Sequence, residues 1–221
     1  MTRAQVRARI EEIGILPAIR VSSSGDALFA AQAVYHSGIP VAEITMTTPD
    51  AIDVISRLVK DFPDMIVGAG TVLDADTARR CLDAGAKFLT STGLVLEVVE
   101  FAQKNDVVVF PGALTPTEVI ATWRAGSDFV KVFPCSANGG HSYIRALKVP
   151  FPQIPMIASG GVNQLTAMDF ILAGAAALGV GAELMPAEAL RVRNLSQIRE
   201  LARRFLGMVK EARALKTGGP L

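Results

Sequence analysis

The chain has 221 residues, half of them hydrophobic, and a formal net charge of +1 at pH 7. With no basic run, that balance argues against nucleic acid or an anionic membrane surface as a partner. Two distant cysteines, Cys81 and Cys135, form no Cys-x-x-Cys pattern and have no His-rich companion, so neither a disulfide framework nor a zinc site is indicated.

The first 14 residues, MTRAQVRARIEEIG, are charged and helical in pattern, unlike a signal peptide. Val6, Ile10 and Ile13 share one face of this helix, taken as residues 1–13. The apolar stretch Phe170–Ala182 has 13 residues, too few to span a bilayer. A cytoplasmic protein is expected, with no membrane or nucleic-acid partner.

Strand candidates then follow in order. They are ILPAIRV ending at Val21, SGIPVAEIT from Ser37, MIVGAGTV at 65–72, AGAKFLTST from Ala84, VVVFPGA at 107–113, AGSDFVKVF from Ala125, PMIASGG at 155–161 and AGAAALGVG from Ala173. Four begin with a small residue and a glycine after a helical pattern, the signature of a helix stop before a strand. Helical patterns fill most gaps; the sixth connection, NGGHSYIRALKVPFPQ, holds only a short helix. A last helix is expected over 195–216, with Ile198, Leu201, Phe205, Met208, Val209 and Ala212 on one face. KTGGPL should fray. Eight alternating units imply a parallel sheet, and in about 200 residues they match an α/β (β/α)₈ TIM barrel with an extra N-terminal helix at its bottom. No linker divides the chain, so residues 1–221 read as one domain. An open doubly wound sheet is the runner-up, but RVSSSGDA is not a Gly-rich nucleotide loop.

Counting five residues from the glycines of strands two, four, six and eight gives Glu43, Thr90, Lys131 and Gly179. Alternate strands of a barrel fill one interior layer, so Glu43 and Lys131 should face inward at similar height. Phe129, Val130, Val132 and Phe133 surround Lys131 with apolar groups, where a charge is costly unless paired. One reading is a structural ion pair or an outward, snorkelling lysine. The other is chemical. A desolvated lysine more readily gives the free amine that attacks carbonyls, whereas a carboxylate nearby favours the ammonium. That carboxylate could itself move protons.

The ordered set of EIT on strand two, VGAGTV on strand three, FVKVFP followed by ANGG, and SGGV on strand seven resembles the class I 2-keto-3-deoxy-6-phosphogluconate / 4-hydroxy-2-oxoglutarate aldolase family. The likeness runs from ILPAIR to the final helix. It implies a trimeric barrel that cleaves 2-keto-3-deoxy sugar acids through a lysine–pyruvate Schiff base, without metal or cofactor. Residue by residue, Lys131 matches the Schiff-base lysine and Glu43 the general acid/base. Thr71 matches a residue near the pyruvyl carboxylate, Phe133 an aromatic wall, and Ser159, Gly160 and Gly161 the phosphate-end turn. Thr47 stands where many members carry arginine; Arg20 is the candidate replacement, suited to grip a carboxylate. Ser91 and Thr92 fall where the family often has Ser-Pro. Gly181 and Ala182 fall where a phosphate-binding serine is common, which leaves the aldehyde partner open. The rivals are a phosphosugar isomerase or epimerase on the same barrel and a non-catalytic sugar-acid binder. Of the remaining polar residues, His141 reads as a loop residue and His36 as a helix end. Cys135 reads as a buried filler, Asn138–Gly140 as a loop able to close over substrate, and Trp123 as core or subunit contact.

Overall fold

The turn from helix to strand is made four times by a glycine in the left-handed region. Gly38, Gly85, Gly126 and Gly174 have φ between 90° and 107°, where a Cβ would be strained. The computed structural model describes residues 1–217. Its elements are α1 (Arg3–Ile13), β1 (Ile15–Ile19), α2 (Ser24–Tyr35), β2 (Val41–Thr45), α3 (Ala51–Asp61), β3 (Ile66–Gly70), α4 (Ala75–Asp83), β4 (Phe88–Thr90), α5 (Leu96–Lys104), β5 (Val108–Phe110), β6 (Gly112–Ala113), α6 (Pro116–Arg124), β7 (Val130–Val132), α7 (His141–Lys148), β8 (Met156–Ser159), α8 (Ala167–Leu172), β9 (Ala177–Val180), α9 (Ala187–Arg191) and α10 (Leu195–Thr217).

The strands form one parallel sheet in the order β5-β4-β3-β2-β1-β9-β8-β7-β6. The two ends of that order are consecutive in sequence. Pro111 separates them: it has no N–H to give to a ladder, so the single run VVVFPGA becomes β5 and β6. The first half pairs with β4 and the second with β7, and the Pro111 carbonyl accepts from the Lys131 amide at 3.0 Å. The sheet thus closes through one kinked strand, and the eight expected strands become nine. The architecture is the expected α/β barrel.

Helix α1 covers the N-terminal end of the barrel. Thr2 and Gln5 cap it reciprocally, and Val6, Ile10 and Ile13 are its buried residues. They pack against β1, β5 and β9. Arg3 clamps the Asp128 carboxylate through Nε and Nη2, and Asp128 also accepts from the Val109 amide at 2.8 Å. Inside, the Phe88 ring stacks on Phe110 at 5.2 Å. Gly68 leaves the room for it, since a Cβ there would lie 2.3 Å from the Phe88 ring. Phe88 therefore fills the interior below the next layer, which is polar.

Of the final-helix face, Ile198, Phe205, Val209 and Ala212 are fully buried, while Leu201 and Met208 are half-buried. The helix continues to Thr217; the rest of the segment expected to fray, 218–221, lies outside the described residues. His141 corrects the sequence reading: it opens α7 rather than lying in a loop, edge-on to Phe170. Asn138 ends a 3₁₀ turn and donates to the Pro134 carbonyl at 3.1 Å. Gly140 donates to the Cys135 carbonyl, also at 3.1 Å, so this connection is tied back to the barrel. His36 caps the end of α2, and Trp123 packs half-buried on α6 against the core.

Candidate active site

Glu43 is the middle residue of β2, flanked by Ala18 of β1 and Gly68 of β3. Lys131 is the middle residue of β7, flanked by Gly112 and Ile157. Both side chains point into the barrel, and the residues are 1% and 5% exposed. The Lys131 Nζ lies 3.4 Å from each Glu43 oxygen. A buried ion is tolerated when an opposite charge compensates it, so each residue makes the other's position possible.

Bare backbone makes the space. A Cβ on Gly70 would lie 2.0 Å from Glu43 Oε1, and one on Gly112 would lie 2.1 Å from the Thr92 carbonyl oxygen. Thr90, in the same register, turns its hydroxyl to the Phe110 carbonyl at 2.9 Å and holds the wall together. Gly179 leaves space on the opposite side, where Ser159 packs against it.

Above this layer opens a cavity of about 880 Å³, at the C-terminal ends of the strands, the end where barrel active sites form. Lys131, Glu43, Arg20, Phe133, Ser159 and Gly179 line it. So do Gly160 and Gly161, with φ of 85° and 86°, and Gly181 and Ala182 after β9.

Arg20 emerges from the end of β1 and is held by two hydroxyls. Its Nη1 donates to Thr47 Oγ1 at 2.9 Å and its Nη2 to Thr71 Oγ1 at 3.3 Å. Thr47 then contacts Thr45 Oγ1 at 3.0 Å, and Thr45 donates to the Ile19 carbonyl at 3.1 Å. Thr45 uses its one proton on the Ile19 carbonyl, so in the Thr45–Thr47 contact Thr47 donates, while it accepts from Arg20. Thr71 has φ 59°, a genuine outlier for a β-branched residue. Thr47 and Thr71 thus meet the cavity through Arg20. Ser91 lies outside the lining, its hydroxyl donating to the Gly93 carbonyl at 2.6 Å; Thr92 takes the wall position.

Cys135 is buried and donates to the Val132 carbonyl; burial pushes its thiol up to about 11. That environment suits an inert filler. The sequence reading did not reach Asp26, Glu183, Met185, Leu190 and Arg191, which also line the cavity. They lie on helices and on the segment after β9, where a strand-register count has no purchase.

The family model for KDPG and KHG aldolase matches residues 6–201. The chain belongs to that family. The KHG/KDPG aldolase of Escherichia coli K12 is 32% identical over 189 residues, 86% of this chain and 89% of that one. A crystal structure of KDPG aldolase from Legionella pneumophila, with pyruvate captured as a covalent carbinolamine, superposes with a TM-score of 0.82. It is 33% identical and covers 90% of this chain and 96% of its own. A cube-shaped cage designed by fusing symmetric oligomeric domains superposes at 0.85, with 28% identity over 93% of this chain and 75% of that one. Members of the KDPG and KHG aldolase family are lyases that release pyruvate and an aldehyde, and this chain is a lyase of that kind.

Proposed function

We propose that Lys131 is the Schiff-base residue and Glu43 the acid/base of a class I retro-aldol cleavage of 2-keto-3-deoxy acids. The observation that carries this is the buried amine–carboxylate pair at 3.4 Å on the floor of the cavity. Transfer of one proton from Nζ to Glu43 leaves a neutral amine, which adds to the C2 carbonyl of the substrate. Glu43 gives that proton to the carbinolamine hydroxyl, which leaves as water; an iminium forms and Glu43 is again a carboxylate. Glu43 takes the proton of the C4 hydroxyl, directly or through water. The C3–C4 bond breaks, its electron pair enters the iminium to form an enamine, and the aldehyde leaves. Glu43 returns a proton to C3, and water hydrolyses the imine to pyruvate and free Lys131. Atoms and charge balance without any further reactant.

Arg20 would hold the keto-acid carboxylate. The two threonines fix its guanidinium and leave other N–H groups open to the cavity. Phe133 would flank the pyruvyl group, and Ser159, Gly160, Gly161, Gly181 and Ala182 would border the aldehyde half. The names of the relatives put forward 2-keto-3-deoxy-6-phosphogluconate and 4-hydroxy-2-oxoglutarate, which share the half that Lys131, Glu43 and Arg20 would engage. We further propose a single domain over 1–221 working as a cytoplasmic homotrimer. One continuous sheet supports the first, and the oligomeric building blocks of the cage support an oligomer; sedimentation measures its size.

Borohydride reduction with pyruvate, followed by peptide mass measurement, tests the mechanism. A reduced pyruvyl adduct on Lys131 is expected. An unmodified Lys131 would favour the isomerase or binder reading and end this one.

A further inference from the structure

Resting on that reading, the charge pattern of the cavity bears on which aldehyde half it accepts. Three cations and three carboxylates line it: Arg20, Lys131 and Arg191 against Asp26, Glu43 and Glu183. Most are already matched. Lys131 is paired with Glu43, and Asp26 with Arg193 at 3.0 Å. Arg191 gives its Nε and Nη2 to the two oxygens of Glu188. That leaves Arg20, held by neutral hydroxyls, and Glu183, which has no hydrogen bond or ion pair among the described residues.

The two unmatched charges belong to different parts of the site. Arg20 follows β1 and suits the single carboxylate that every 2-keto acid carries. Glu183 follows Gly181 and Ala182 after β9, beside the expected aldehyde half. The methyl of Ala182 has no donor to offer an anion. Val162, Met185, Ala187 and Leu190 line the same cavity and add only apolar surface. A phosphate or second carboxylate there would find no unpaired cation, only the Ser159 hydroxyl and the backbone of the Gly160–Gly161 turn, and would face the carboxylate of Glu183. Hydroxyls would lose nothing by it, since carboxylate oxygens accept from them.

We propose that this aldolase selects substrates with one negative charge: 2-keto-3-deoxy acids whose aldehyde half is uncharged. Both Ala182 and Glu183 are exposed, so solvent screens the repulsion and the discrimination is moderate and dependent on ionic strength.

The test is pyruvate release by the intact protein from 2-keto-3-deoxygluconate, its 6-phosphate and 4-hydroxy-2-oxoglutarate. The expected result is a kcat/KM at least about tenfold higher for the first, the gap widening at low salt. A182S combined with E183Q should narrow the gap to the 6-phosphate several-fold. Equal or better cleavage of either charged substrate overturns the selectivity, as does a ratio unmoved by the double variant. Borohydride trapping with pyruvate alone probes only the keto half. An adduct on Lys131 together with preference for the phosphate therefore removes this inference and leaves the mechanism standing; absence of the adduct removes both.

Discussion

Lys131 and Glu43 are 88 positions apart in the chain, yet the amine lies at the same distance, 3.4 Å, from both oxygens of the carboxylate. An amine so placed can pass a proton to either oxygen, the step that frees it to attack a carbonyl. Lys131→Ala should abolish pyruvate release and leave the fold intact by circular dichroism. Glu43→Gln keeps the shape and loses the proton acceptor. It should lower kcat by roughly 10²–10⁴-fold, the usual worth of general acid–base help. Residual turnover of the lysine variant near the parent rate would contradict the mechanism.

Gly70 tests the same pair without touching it. A Cβ there would lie 2.0 Å from Glu43 Oε1 and 2.5 Å from its Cδ, and the cavity that Glu43 lines is the space into which its side chain would be pushed. Gly70→Ala should therefore turn the carboxylate away from Lys131 and cut kcat by roughly 10²-fold, as loss of the acid/base would. Stability should fall by about 1–3 kcal/mol, the range for overpacking. Full activity in the alanine variant would show that Glu43 does not need its present position.

The barrel and its central pair were legible because both follow from backbone rules. A glycine that ends a helix starts a strand at a defined point, so a count of five residues brings Glu43, Thr90, Lys131 and Gly179 into one layer. The split at Pro111 was hidden, since VVVFPGA has an unbroken apolar look and only strand pairing shows where the missing N–H falls. Arg20 was identified by residue type and place, but its bonds to Thr47 and Thr71 depend on side-chain torsions across three strand ends. Glu183 and Arg191 were out of reach for a different reason: the path of the segment after β9 is set by packing, with no period to count.

The two hydroxyls on Arg20 give a graded prediction. Arg20→Ala should raise KM for keto acids by at least about tenfold, with a smaller change in kcat, because charge-assisted bonds to a carboxylate are the stronger kind. Thr47→Val removes the 2.9 Å bond and keeps the volume. It should raise KM by a few-fold, about what one ordinary hydrogen bond contributes. Steady-state kinetics with a 2-keto acid reads both. Unchanged KM in Arg20→Ala would remove the residue from substrate binding.

Cys135 adjoins the site, and its pH behaviour separates filler from nucleophile. Burial favours the neutral thiol and pushes Cys135 up to about 11; the same cause raises Cys81 to about 11. The thiolate is the reactive form and lies above that value, so at pH 8 both remain protonated. Iodoacetamide at pH 8 should leave both unmodified in the native protein and alkylate both in urea, read by intact mass. Rapid native alkylation of Cys135 would show an accessible, activated thiol.

At the other end of the barrel, Arg3 ties α1 to the residue that leads into β7. It reaches Asp128 with Nε at 3.0 Å and Nη2 at 2.9 Å, and Asp128 in turn accepts from Val109. The side chains are 22% and 8% exposed, so removing the arginine leaves a carboxylate short of partners in a mostly dry place. Arg3→Ala should cost ~2 kcal/mol, within the range for a buried polar group that loses its partner. In a chain of this length, that corresponds to a drop in Tm of roughly 4–8 °C. The cavity lies beyond the Phe88–Phe110 layer, so kcat and KM at 25 °C should match the parent. Calorimetry beside the pyruvate assay checks both halves. An unaltered Tm would mean that α1 is held by its apolar face alone, and a lost activity would mean that the two ends of the barrel are coupled.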